Sequence, residues 1–529
     1  MKNKNKIYLP LLLGLACAAG LLLGSQLNFT QDQALFSSNS KKEKLNRLID
    51  YIDYEYVDEV NTDSIVDVTV NKILENLDPH SVYIPKKEYA SVTENMNGDF
   101  VGIGVSFYQV EDTIIVIQPM AGGPSEKMGI KGGDRILYAN DKKLFNKDLG
   151  TDSIISQLKG EENSEVRLKV YRKGIKKLLN FDLKRSRVPI KSIDAAYMLT
   201  DKLGYIKINR FSETTYQEFH ESLLHLRSLG AKEITIDLRD NPGGYLSEAV
   251  NIVDEFLKDG NLILFTKNKS GSIEKTFANK KGSYEDKPLY ILINENSASA
   301  SEIVAGAFQD NDRGTIIGRR SYGKGLVQRE MALGDGSAVR LTIARYYTPT
   351  GRSIQKPYDM GNEAYFNDYI RRYKNGELAH ADSIHVTDSL KYVTPAGKIV
   401  YGGGGIIPDI FIPKDTDSEK EALSYLLRSS GLFSKFIFQE LEKNRAYYNK
   451  LSWKEFQENK EITDQTVQNF FTFTKNENFP INITENIPVL KRYLEAVMAQ
   501  QLFGTNEFQR IINRDDRIIA KVIELSQSN

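Results

Sequence analysis

The chain of 529 residues holds a single cysteine, a single tryptophan and only five histidines, and its 70 basic side chains are balanced by 70 acidic ones. The cysteine, Cys17, lies in an N-terminal apolar stretch. The rest of the chain therefore has no disulfide, no cysteine–zinc site and no thiol nucleophile. Zero net charge without a dense basic block removes the field that would gather nucleic acid or acidic substrates. With no histidine between Asn294 and Gln328 and no G-x-S-x-G elbow, nothing local supports a Ser-His-Asp triad. No repeat of 20–50 residues is visible. What is present, 40% hydrophobic and 10% aromatic residues, excludes disorder and collagen-like composition. The length suggests about three or four units.

Two motifs mislead. His220 and His225 flank a zinc-protease-like stretch but stand five apart, which turns the second imidazole roughly 140° off the face that a metal needs. Gly318 to Lys324 has the spacing of a phosphate-binding loop, yet Gly325 occupies the place of the magnesium-binding Ser/Thr. A strand-like segment, not a helix, follows.

The chain opens with basic MKNKNK and an apolar run from Ile7 to Leu23. The run passes the A-x-A-like Ala16-Cys17-Ala18 and continues through Leu21-Leu22-Leu23, which predicts a signal anchor over 1–30. A cleaved signal peptide and a lipidated Cys17 are the alternatives. The expectation is an exported protein of the cell envelope (periplasm), anchored to the inner membrane, with its lysines cytoplasmic and its body outside. Over 41–96, Leu45, Leu48, Ile49 and Ile52, then Val66, Val70, Ile73, Leu74 and Leu77, form helical stripes that end near Asp78-Pro79-His80. Short alternating strands over 97–187 predict a β-rich module. Between 188 and 414, strands at Leu203–Ile208, Ile234–Leu238, Leu289–Ile293, Thr315–Ile317, Ala338–Ala344 and Ile406–Ile412 alternate with helices, which implies an α/β core. Tyr358 to Val400 interrupts this pattern and reads as a polar surface excursion. From 415 to 529 the pattern is that of an appended helical domain.

Three segments carry chemistry. In the first, the apolar strand Leu289–Ile293 runs through Asn294-Glu295-Asn296-Ser297-Ala298-Ser299-Ala300-Ser301-Glu302 into a helix. A serine there stands at the carboxyl edge of a sheet, beside helix N–H groups able to bind an oxyanion. By itself the segment also fits a serine-rich helix cap. In the second, Lys324 sits between Gly323 and Gly325. A lysine is useless as a base near pH 7 unless burial lowers its pKa, and the plain alternative is a solvated loop lysine. The third, Asp237-Leu238-Arg239-Asp240-Asn241-Pro242-Gly243-Gly244, is a strand followed by strong turn chemistry.

In this order, D-L-R-x-N-P-G-G, S-A-S-A-S-E and G-K-G-x-x-Q resemble the carboxyl-terminal processing (tail-specific) serine peptidases. The resemblance implies an α/β multidomain protein with a ClpP/crotonase-like protease core, an inserted PDZ domain, an N-terminal helical region and a C-terminal helical domain. It makes Ser299 the nucleophile, where composition could not choose among Ser297, Ser299 and Ser301. It makes Lys324 the base and Gln328 the residue that orients it. Ala300 with Gly243 or Gly244 would form the oxyanion hole. Asp310 matches a position implicated in some relatives, and Glu302 is read as a structural support. Gly102-Ile103-Gly104-Val105 would be the loop of the PDZ module that captures a peptide carboxylate. Ala121-Gly122-Gly123-Pro124-Ser125 and Gly132 depart from the usual turns there, which bears on peptide preference. The implied partners are proteins with apolar, unstructured C-termini, with no metal or cofactor; self-association and an adaptor stay open. The competing expectations are a catalytically silent PDZ-containing peptide-binding or chaperone protein, or a scaffold.

Overall fold

A computed structural model describes residues 40–529 apart from 111, 146–148, 280–281, 283, 460 and 529. The run Ile7–Leu23, and the anchor or signal read from it, lie outside the described residues. The chain divides into two compact units, Met1–Ile73 and Leu74–Asn529. In the first, the described part is helical: Ser40–Glu55, then the start of Thr62–Glu75, where the Asn61 side chain accepts the Ser64 amide at 3.1 Å as a cap should. Leu45 and Leu48 of the predicted stripe are exposed. No helix among the described residues is long and apolar enough to cross a membrane.

The second unit is built on a six-stranded sheet in the order Ile193–Met198, Leu203–Ile208, Glu233–Asp237, Leu289–Ile293, Thr315–Gly318, Ile410–Phe411. The first pair is antiparallel and the rest parallel. Continuous apolar strands follow from burial on both faces. Leu289, Ile291 and Ile293 face the helices Thr215–Ser228, Leu246–Asp254 and Ala300–Asp310, while Tyr290 and Leu292 face the other side. That other side is covered by Ile518, Ile519 and Val522 of the last helix, Arg517–Ser528. The expected C-terminal domain does have its own core around Phe433, Phe436, Phe470, Leu490 and Leu494, but its final helix leaves that core to close the sheet.

A second, antiparallel sheet sets Leu326–Ala332 and Val82–Ile84 against the long strand Ala338–Tyr347. Its register puts Gln328 opposite Thr342, next to a bulge at Val327/Gln328. The β-rich module is a separate sheet of Val105–Val110, Thr113–Pro119, Arg135–Ala139, Lys142–Lys143, Glu165–Tyr171 and Leu179–Lys184 around Ile114, Val116, Ile136 and Leu168. Its entry strand Asp99–Gly102 pairs with its exit strand Ser186–Pro189, so it leaves and rejoins the chain at one place. The C-terminal helices touch it: Phe438 packs on Ile115, and Lys173 Nζ donates to the Glu442 carbonyl at 3.0 Å.

Two expectations change. Of Ile406–Ile412 only Ile410–Phe411 is strand: the Ile406 amide donates to Ser321 Oγ at 2.6 Å and Pro408 has no N–H to give a neighbouring strand. The Tyr358–Val400 segment is no loose excursion. Its helices Asn362–Phe366 and Asp368–Lys374 are fastened by buried ion pairs, Arg372–Glu377 and Arg320–Glu377 at 2.7 Å and Lys356–Asp368 at 3.4 Å. Paired charges are the form in which polar residues enter an interior, so the segment looked solvated in sequence.

Candidate active site

The turn between Leu289–Ile293 and Ala300–Asp310 separates the three serines by role. Ser297 Oγ donates to the Leu238 carbonyl at 2.8 Å and Ser301 Oγ to that of Asn241 at 3.0 Å, both fully buried, so these two clamp the Asp237–Gly244 turn. Ala298 N donates to the Asn241 carbonyl at 3.0 Å. Ser299 is the partly exposed one and sits at φ 56°, ψ −113°, a left-handed conformation that an L-residue holds only under constraint. The strained strand–turn–helix junction presents its side chain as a nucleophile elbow does, without the glycine signature.

Glu302 ties the serine to the lysine. Its buried carboxylate accepts the amides of Ser299 (2.9 Å) and Lys324 (2.8 Å) on Oε2, and the Gly323 amide (2.7 Å) and Ser321 hydroxyl (2.5 Å) on Oε1. Burial raises its pKa, and these four donors act against that rise. Tyr346 adds a second tie, its hydroxyl lying 2.9 Å from the Lys324 carbonyl and 3.2 Å from that of Ser299. Gly323 needs φ 91° for the chain to turn here.

Lys324 Nζ donates to Gln328 Oε1 at 2.8 Å, and no hydrogen bond joins it to Ser299 Oγ. Its pKa is lowered to about 8, by burial first and then by the Arg340 guanidinium, while Glu302 and Asp78 pull the other way. The neutral amine is therefore accessible near neutral pH. Gln328 Nε2 donates to the His80 carbonyl. His80 itself is held neutral, its pKa pushed down to about 3 by burial and by nearby Lys324.

Gly243 (φ 98°) passes so close that a Cβ there would stand 2.7 Å from Ser299 Cβ and 2.9 Å from the Ala300 amide nitrogen. Its own N–H is taken by Asn241 Oδ1 at 2.8 Å, which leaves the Gly244 amide of that pair. Ala300 starts the helix, where amides have no intrahelical partner. Beneath the turn, Arg239 bridges Asp237 and Asp516 of the C-terminal region, each at 2.6 Å. Burial would raise the Asp237 pKa, but Arg239 and Lys207 more than offset it, and the carboxylate stays ionised.

A model of peptidase family S41 matches residues 202–361, a PDZ domain model matches 101–183, and a family of unknown function, DUF8443, matches 423–504. The carboxy-terminal processing protease CtpA of Bacillus subtilis is 31% identical over 359 residues, covering 67% of this chain and 76% of that one. The carboxy-terminal-processing protease of Bartonella bacilliformis is 31% identical over 346 residues, 64% of this chain and 79% of its own. The chain belongs to the carboxy-terminal processing protease family. It is thus a serine-type S41 peptidase with a PDZ domain. Among solved structures, a photosystem II D1 C-terminal processing protease is 27% identical, covering 59% of this chain and 83% of that one, with a TM-score of 0.34.

Within this processing protease, the S41 match spans Ser299, Lys324 and Gln328. Asp310 is also inside it but lies at the far end of the Ala300–Asp310 helix, where it pairs with fully buried Arg352 at 2.7 Å and accepts Thr350 Oγ1 at 2.6 Å. The structure does not bring it to Ser299 and Lys324. In the PDZ domain, the carbonyls of Ile103 and Gly104 accept the amides of Ser125 and Met120, both at 3.0 Å. The Ile103 and Gly104 N–H groups have no hydrogen-bond partner among the described residues, and Gly104 is left-handed at φ 71°. Val105 opens the strand beside it.

Residues that sequence reasoning passed over are Asp78, His80, Tyr346 and Tyr365. By its pattern Asp78-Pro79-His80 reads as a helix stop. An aspartate followed two and three residues on by free amides is also an Asx turn, and its carboxylate accepts the His80 and Ser81 amides at 2.9 and 3.0 Å. Nothing local marked the two tyrosines.

Proposed function

We propose that this protease is exported, is held at the inner membrane by residues 1–30, and cleaves proteins near or from their C-termini with a Ser299–Lys324 dyad. The observation that carries the dyad is Glu302, whose one carboxylate sets the backbones of Ser299 and Lys324 side by side while Lys324 is desolvated to a pKa of about 8; export and the tether rest on the basic start and apolar run of the sequence. In the proposed reaction, neutral Lys324 removes the Ser299 Oγ proton as Oγ attacks the scissile carbonyl. The amides of Ala300 and Gly244 receive the oxyanion. Lys324 passes its proton to the leaving amine, and an acyl-enzyme remains. Water, deprotonated by the same amine, then releases the acid. The amine now hydrogen-bonds to Gln328 and not to Ser299, so in the proposed reaction the Lys324 side chain turns toward Oγ when substrate binds. Capture begins at the PDZ domain, where Ile103 and Gly104 N–H groups hold the carboxylate of an apolar, unstructured tail.

The test is to incubate the full chain, and its Ser299→Ala and Lys324→Ala variants, with an unstructured protein ending in apolar residues, and with the same protein amidated at its C-terminus. Wild type is expected to cleave and both variants to leave the substrate whole. Amidation should raise KM roughly tenfold, the effect of losing a charge-assisted hydrogen-bonded terminus. Cleavage by Ser299→Ala at the wild-type rate would end the dyad reading.

A further inference from the structure

Gln328 is a primary amide with both ends committed. Its Nε2 donates to the His80 carbonyl, so its Oε1 must face Lys324, and the Nζ–H bond to it aims the amine. What holds the His80 carbonyl therefore holds Lys324. One support is local: the Asp78 carboxylate accepts the amides of His80 and Ser81, the Ser81 hydroxyl (2.6 Å) and the Thr342 hydroxyl (3.1 Å), the last from the strand facing Gln328. The other comes from the segment that breaks the strand–helix alternation. Tyr365 OH lies 2.7 Å from His80 Nε2, with the two rings edge to face at 5.2 Å.

Tyr365 is itself immobilised. It is 2% exposed; its carbonyl accepts Lys356 Nζ at 3.1 Å, and that ammonium lies 4.2 Å from its ring. The Arg372–Glu377–Arg320 pairs bind the same segment to the loop that carries Lys324, with Arg372 also donating to the Ser321 carbonyl at 3.1 Å. His80 and Tyr365 both fall outside the 202–361 span of the S41 match.

We propose that Tyr365 is a positioning residue for Lys324: through the His80 ring it fixes the 78–81 turn, whose His80 carbonyl orients Gln328 and with it the amine. This rests on the dyad proposed above. The segment 358–400 is in this view a brace for the base, and its loosening slows chemistry without weakening substrate capture.

The test uses full-length protein and a fluorogenic peptide. Tyr365→Phe keeps the ring over Lys356 and removes only the hydroxyl. The expected result is a fall in kcat of roughly tenfold with KM within about twofold, and an equal fall in the rate at which a fluorophosphonate labels Ser299. Tyr425→Phe, at an exposed position in the C-terminal domain, should match wild type. In a Gln328→Ala background Tyr365→Phe should cost nothing further, since a relay broken once cannot be broken again. A Tyr365→Phe enzyme with wild-type kcat, or losses that add in the double variant, would overturn the relay. Ser299→Ala and Lys324→Ala run alongside separate the two ideas. If both are inactive while Tyr365→Phe is unimpaired, the relay alone fails; if either retains wild-type activity, the dyad beneath it fails.

Discussion

The carboxylate of Glu302 accepts the backbone N–H of Lys324 at 2.8 Å, and the same oxygen accepts the N–H of Ser299 at 2.9 Å. Two segments twenty-five residues apart are thus brought together through main-chain donors, which only a proline at either place can remove. Glu302→Gln should break this tie. Its amide turns an NH₂ group toward at least one of four fixed donors, leaving buried groups unpaired at a cost of about 2–4 kcal/mol. Urea denaturation should show that loss, and kcat should fall at least a hundredfold.

The pH dependence follows from Lys324. With its pKa lowered to about 8, activity should rise with pH through that value as the neutral amine appears. Arg340 contributes to the lowering, so Arg340→Met should move the acid limb of the kcat/KM profile to higher pH. A limb that stays in place, or moves down, would contradict the neutral-amine base.

The same shift is a stability statement. The folded state gives up the Lys324 proton near pH 8, whereas the unfolded chain keeps it to about 10.4. Between these values the unfolded state binds more protons, so stability rises with pH, and the full penalty is present below 8. Lys324→Met should therefore raise Tm by a few degrees at pH 7, with the gain shrinking toward pH 10. Calorimetry at the two pH values measures this, and a gain independent of pH would refute it.

Asp310 belongs to the framework and not to the reacting centre. Asp310→Asn leaves the fully buried Arg352 guanidinium with an uncompensated charge, which should cost about 3–5 kcal/mol of stability. At a temperature where the variant is folded, its pH–rate profile should coincide with that of wild type. A displaced acid limb would return Asp310 to the site.

Much of this protein is legible without coordinates, for identifiable reasons. Leu203–Ile208 and Leu289–Ile293 are strands buried on both faces, and that burial writes an unbroken apolar run. Where a proline and a side-chain acceptor interrupt the ladder, as before Ile410–Phe411, the apolar run overstates the strand. The segments that hold Ser299, Lys324 and Gln328 stand out through their small residues and glycines, and the resemblance those motifs carry picks out the three residues. His80 and Tyr365 do not stand out, since the bond between them joins positions with no common periodicity.

The sequence by itself determined the order of the elements and the three segments that meet at the site; the expectation of a lysine base comes from the family resemblance those segments carry. The order and the segments are local properties, written in apolar spacing, turn residues and residue type. Only the tertiary structure decided which serine is left available, because Ser297 and Ser301 are assigned by carbonyls that lie some sixty residues upstream, at Leu238 and Asn241. It also decided that Glu302 joins the backbones of Ser299 and Lys324, that Asp310 stands apart, and that a segment polar in composition is fastened by buried ion pairs. Each of those follows from burial, and burial is a property of the packed chain, not of any stretch of it.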